Sequence, residues 1–232
     1  MLALAAPPGP LSVPMENLQA LLDQLRTLQG DIETAATESP EFRKTLRWIT
    51  LYTVLYSQCM ADWFDERQWP SQFCAWAARN LFELEIWTRY VLKKREYAER
   101  FAKDWIMDGI GTLEAFQGWS QSRGMPPDPV FENELNKLRS MRDAELPGCR
   151  RVLQIRELVA ELGMEEDYKH LNPIFSKLVH PTSWSVQWKP ELLPHSRDFI
   201  VTVGLTSSAR IVSAIRNHIA THGMEPSPCP TS

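Results

Sequence analysis

The chain has 232 residues, 44% of them hydrophobic and 23% charged, which fits one large domain with a packed core and excludes disorder over most of its length. A mean hydropathy of −0.31, with no run of 18 or more apolar residues, argues against a polytopic membrane protein. The formal net charge of −4 offers nucleic acid no global attraction. Four cysteines (Cys59, Cys74, Cys149, Cys229) show neither a CxxC pair nor metal-ligand spacing, and read as reduced, mostly buried thiols of a cytoplasmic protein.

Residues 1–13 contain Pro7 and Pro8 after a short apolar run without a basic flank, so a disordered N-terminal arm is expected there and not a secretion signal. Residues 14–222 are expected to form a single helical domain, and residues 223–232 a Pro/Ser tail with nothing to bury. Helix signals follow in chain order. Glu16 to Ala36 places Leu18, Leu21, Leu22, Leu25, Leu28 and Ile32 on one stripe. Ser39-Pro40-Glu41 supplies an N-cap, a first-position proline and a first-turn acid for a second helix, running through Phe64. That helix is apolar around much of its circumference, which predicts a central position.

A third helix, Pro70 to Lys94, has two apolar faces, with Arg79 and Glu83 among Trp76, Ile86, Trp87 and Tyr90. The fourth, Glu96 to Trp119, is expected to bury Tyr97, Phe101, Trp105, Ile106, Ile110, Leu113 and Phe116, with Gly109 and Gly111 weakening its middle or permitting close packing. Asp128-Pro129 caps a fifth helix to Glu145, after a loop from Ser122. Val152 to Leu162 forms a short sixth stopped by Gly163, and Glu165 to Val179 a seventh ending at His180-Pro181. Prolines 181, 190 and 194 predict a loop from Pro181 to Asp198. Residues 199–205, FIVTVGL, have strand propensity but no partner strand, so they are read as the start of a last helix. The fold class is therefore an all-α bundle of about seven or eight helices. Nine tryptophans imply a core of large interlocking rings.

Several polar groups stand out. Arg79 and Glu83 are one turn apart and can pair. Glu83 alone cannot satisfy five guanidinium donors, so Tyr168, Ser176, His180 or a ligand anion are candidates to complete the set. The alternative reading is a structural ion pair. His180 ends a helix, where the dipole favours its protonated form; it is either a cap on the last carbonyls or an acid/base group. Asp104 and Asp108 share a helix face, and Arg139, Arg142, Arg150, Arg151 and Arg156 form a modest basic cluster diluted by Glu145 and Glu157. No Gly-rich phosphate loop, nucleophile elbow or zinc-binding pattern occurs, so neither a cofactor nor a metal is called for.

The stretches CAWAARNLFELEIWTRYVL (Cys74 to Leu92) and YKHLNPIFSKLVHPTSW (Tyr168 to Trp184) resemble a set of uncharacterised bacterial all-helical domains with a central Arg-x-x-x-Glu helix and a later Tyr, Ser and His-Pro. The matching positions are Arg79 and Glu83, then Tyr168, Ser176 and His180-Pro181. These domains are distantly similar to HEPN-type bundles, many of them metal-independent ribonucleases or nucleotide-binding partners in defence and toxin systems. That similarity implies a HEPN-like core. Arg216 to His222 has the Arg-x(4–6)-His form of those ribonucleases, which would make Arg216 and His222 catalytic candidates, although they lie roughly 120° apart around a helix.

The leading expectation is a bacterial cytoplasmic protein binding a small molecule, another protein or its own copy through a polar pocket centred on Arg79, Glu83 and His180. One alternative is a HEPN-like metal-independent ribonuclease of phage defence or a toxin system, with Arg216 and His222 or the Arg79/His180 pair as its reactive groups; another is a structural or adaptor bundle with no pocket. Charge does not indicate RNA, and no membrane partner is expected.

Overall fold

The computed structural model describes residues 15–34, 39–65, 71–179 and 193–222. These form eight helices: α1 (Met15–Thr34), α2 (Pro40–Asp65), α3 (Ser71–Lys93), α4 (Arg95–Ser122), α5 (Pro129–Glu145), α6 (Ile155–Leu162), α7 (Glu165–Val179) and α8 (Leu193–His222). No strand occurs among the described residues, and the bundle is all-α. The expected terminal arm (1–13) and tail (223–232) lie outside the described residues, as do His180 and Pro181.

Local chemistry sets most boundaries. Ser39 Oγ accepts the Phe42 N–H at 3.2 Å and opens α2, with Pro40 in the first position, where its missing N–H costs nothing. Asp128 does the same for α5, accepting from Val130 N at 2.8 Å ahead of Pro129. Gly163 ends α6 in the left-handed region at φ 68°, a conformation that side chains with a Cβ avoid. The α8 start differs from expectation. Residues 193–198, predicted as the end of a loop, are helical, with Pro194 in the first turn, where proline is tolerated; the rest of the predicted loop lies outside the described residues. Residues 199–205 are helical throughout: Ile200 and Val201 are buried in helix packing, and that burial outweighs β propensity where no partner strand exists.

The central element is α3, which packs against α2, α4, α6, α7 and α8. Its Ala77, Ala78, Leu81 and Ile86 are fully buried, and all six apolar residues of the α1 stripe are buried as expected. The seam between α3 and α8 is close: a Cβ on Gly204 would stand 3.2 Å from Ala78 Cβ and 2.8 Å from Met60 Sδ. Glu85 crosses the same seam, its buried carboxylate accepting from Arg89 on its own helix and from Arg210 on α8.

Expectations about packing are met only in part. Helix α2 packs against α1, α3, α4 and α8, but Trp48, Leu51, Tyr52 and Leu55 leave one of its faces exposed while Phe42, Leu46, Ile49 and Met60 are buried. Tryptophans do not build the core. Among the described residues the core is leucine, isoleucine, alanine and a few phenylalanines. Trp48 is 48% exposed, Trp105 and Trp119 are each 53%, and Phe116, also expected inside, is exposed as well. Such large amphipathic rings are often highly but rarely fully buried, and here Trp48 and Trp105 line a cavity between helices.

By length and composition α8 is apolar enough to cross a membrane, with a mean hydropathy of 1.3 over an 18-residue window within Asp198–His222. Its apolar side is nonetheless used inside the bundle, where Ile200, Val201, Ile211, Val212 and Ile215 are buried against α3, α1 and α2. A second, smaller cluster joins α4 to α5 through Ile106, Met107, Ile110, Leu135 and Leu138. Gly109 permits this approach, since a Cβ there would meet Leu138 Cδ1 at 2.9 Å; Gly111 faces open space. Among the described helices α5 packs only on α4, so the pair projects from the main body as a hairpin.

Candidate functional site

Where α2, α3 and α4 diverge, a cavity of about 840 Å³ opens, closed on its far side by residues 152–156 and by Tyr168 of α7. Helix α3 contributes Arg79, Glu83, Leu84 and Trp87; α2 contributes Lys44, Thr45, Trp48, Ile49 and Tyr52; α4 contributes Phe101, Ala102, Asp104, Trp105 and Asp108. The i, i+4 spacing that predicts the Arg79–Glu83 pair is realised: Arg79 Nε donates to Glu83 Oε1 at 3.0 Å, with the two side chains only 29% and 25% exposed. Only Nε is engaged. Among the described residues nothing accepts from Nη1 or Nη2, so the outer edge of a half-buried guanidinium is left without a protein acceptor in the lining of a cavity.

The rim is fixed by Asp104. One carboxylate oxygen accepts from Arg100 Nη2 at 2.9 Å and the other from the Leu153 backbone N–H at 2.9 Å, pinning the stretch before α6 against α4. Arg100 Nη2 also reaches the Arg151 carbonyl at 3.1 Å. One turn along, Asp108 has no such support. Burial, and secondarily the charge of Asp104, holds its carboxyl above the ordinary aspartate range. Thr45 is buried, and its hydroxyl has no hydrogen-bond partner among the described residues.

The sequence-predicted residues divide. Arg79, Glu83 and Tyr168 are brought together in the cavity lining, and Tyr168 also stacks on Phe82 with ring centroids 6.5 Å apart. Ser176 lies two turns further along α7 and does not line the cavity. His180 lies outside the described residues. Arg216 and His222 are elsewhere on the molecule: Arg216 donates to the Gln24 side chain and carbonyl on α1, while the His222 ring sits 4.5 Å from that of His218, which stacks on Phe42. The basic cluster is largely neutralised, Arg139 by Glu114, Arg142 by Asp143 and Arg151 by Glu157; Arg156 instead lines the cavity.

Sequence reasoning missed Lys44, Trp48, Tyr52 and Arg156 as site residues, and took Trp105 as core. Their only common signal is an aromatic or a cation on the flank of an apolar stripe, which many solvated positions share. Among the described residues no three His, Cys, Asp or Glu side chains are grouped to hold a metal. Burial, with Asp62 nearby, pushes the Cys59 thiol up and away from the thiolate. The lining sets hydrogen-bonding side chains and aromatic rings around a void.

The fold and cavity together define an all-helical bundle with a polar, ring-lined recess on its central helix. The chain belongs to a family of unknown function (DUF5677), whose pattern matches residues 72–188. That match takes in the Arg79–Glu83 helix, the α4 wall and Tyr168, but not the α2 wall. No curated protein and no solved structure matches the chain.

Proposed function

We propose that this protein binds a small organic molecule in the cavity on α3. The observation that carries the reading is the Arg79 fork: two guanidinium nitrogens without a protein acceptor among the described residues, in a half-buried side chain lining an open recess. The volume falls in the range of roughly 300–1,000 Å³ typical of ligand pockets. Its lining mixes apolar and aromatic side chains with an unusually large share of charged groups, which suits a polar or ionised ligand. As part of the same reading we place the protein in the cytoplasm, with the apolar face of α8 serving the core.

The ribonuclease alternative has less support, since Arg216 is engaged by Gln24 and His222 by His218, away from the cavity. An adaptor bundle with no pocket leaves the recess without a purpose.

Native mass spectrometry of protein purified from its own host, alongside Ala102→Trp, tests the proposal. Ala102 lines the void, and an indole there occupies it. A small molecule retained by the wild-type chain and lost from the variant is expected. Equal retention by both, or none by either after a broad metabolite screen, overturns it.

A further inference from the structure

The charges around the cavity are unevenly committed, and that imbalance indicates what the cavity takes. Three cations line it, Lys44, Arg79 and Arg156, against three acids, Glu83, Asp104 and Asp108. Glu83 is used by Arg79 Nε, and Asp104 by Arg100 and the Leu153 N–H. Among the described residues Lys44 and Arg156 have no acidic partner, and the outer edge of Arg79 has no acceptor. The acid left over is Asp108, whose surroundings already disfavour its ionised form. The cations without an acidic partner, Lys44 and Arg156, together with the outer edge of Arg79, therefore face one carboxyl, Asp108, that makes no ion pair among the described residues. A planar N–H fork matches the two oxygens of a carboxylate or the edge of a phosphate.

The apolar part of the wall is equally particular. Alongside aliphatic side chains such as Ile49, Leu84 and Leu153, it presents flat rings from three different helices: Trp48 and Tyr52 from α2, Trp87 from α3, Phe101 and Trp105 from α4. Trp87 and Phe101 already contact each other, with centroids 4.8 Å apart, while Trp48, Tyr52 and Trp105 remain exposed. Rings presented from several directions complement another ring, by offset stacking or edge contact, better than a flexible aliphatic chain.

Resting on the pocket reading above, we infer that the ligand is a flat aromatic molecule bearing an ionised carboxylate or phosphate, its acid group on the Arg79 fork with Lys44 and Arg156 as supporting cations and its ring among the tryptophans.

Calorimetric titration of the full chain with a matched set of compounds tests this: 2-naphthoate, 2-naphthyl phosphate, the neutral 2-naphthamide, the non-aromatic cyclohexanecarboxylate and inorganic phosphate. One or both naphthyl anions should bind at least about tenfold more tightly than the amide and than cyclohexanecarboxylate, as a charge-assisted fork predicts. Which of the two is favoured identifies the acid. Arg79→Gln should erase the preference for anion over amide. The exposed double variant Lys44→Gln/Arg156→Gln should reduce that preference even if Arg79→Gln fails to fold. Equal binding of naphthoate and naphthamide, both lost in Ala102→Trp, overturns the inference and leaves the pocket reading standing. Inorganic phosphate binding as tightly as naphthyl phosphate overturns the aromatic half. Absence of binding by every naphthyl compound overturns the inference; only if no host molecule is retained either does the pocket reading fall with it.

Discussion

Asp104 is the side chain through which the cavity rim depends on the fold, and its removal can be worked through. The carboxylate is 10% exposed and accepts two hydrogen bonds of 2.9 Å, one from a guanidinium and one from a backbone N–H of a segment 49 residues away. Hydrogen bonds to charged groups contribute about 1.5–3 kcal/mol each, and removing one partner of a buried pair costs about 3–5 kcal/mol. Arg100 keeps its bond to the Arg151 carbonyl and is itself a quarter exposed, so the lower part of that range applies. Asp104→Ala should therefore destabilise the protein by about 3 kcal/mol, or roughly 6–12 °C in Tm for a chain of this size. Asp104→Asn keeps one acceptor oxygen and should cost about half as much. Thermal melts by circular dichroism give the magnitude, and hydrogen exchange read at the Leu153 amide gives the mechanism. A loss below about 1 kcal/mol together with unchanged Leu153 protection would refute the account of how the rim is held.

Three further outcomes are expected. Asp108 has a folded-state pKa above its ordinary value of 3.8, so its ionisation opposes folding once pH rises past that value. Asp108→Asn should accordingly be more stable than wild type at pH 7, with the advantage shrinking on acidification and gone below pH 3.8, as urea midpoints at several pH values will show. Gly111→Ala meets open space in mid-helix and should stabilise by about 0.5–1 kcal/mol, whereas Gly204→Val drives a branched side chain into Met60 and Ala78 and should destabilise by about 1–3 kcal/mol or more; paired denaturant curves decide the signs. Phe175 is wholly buried in the main core, so Phe175→Ala should cost about 3–5 kcal/mol in the same assay.

The helical architecture was legible because its determinants are local. The leucine stripe of α1, the Ser39-Pro40 and Asp128-Pro129 starts and the Gly163 stop each act within a turn or two, and each is realised. The Arg79–Glu83 pair was legible for the same reason. Tyr168 came from a resemblance and not from any periodicity. What stayed hidden depends on separation in sequence. Asp104 meets Leu153, and Lys44, Arg79 and Arg156 meet one void, only once four helices and a loop are in place. The rings were misread for a physical reason as well. A tryptophan on an apolar stripe has the same pattern whether its helix is covered to the end or faces a cavity, and Trp48 and Trp105 line a cavity between helices.

The α4–α5 hairpin carries its own small apolar cluster, and of its two helices only α4 packs against other helices of the body. Its cooperative unit is therefore separable from that of the body, and partial opening of this arm need not dissolve the packing around α3. Native-state exchange should show two tiers of protection, with α5 amides released first. The exposed turn at 123–127, which takes no part in lining the void, is the place where a fluorophore or a fused domain can be grafted while leaving the Asp128 cap of α5 in place.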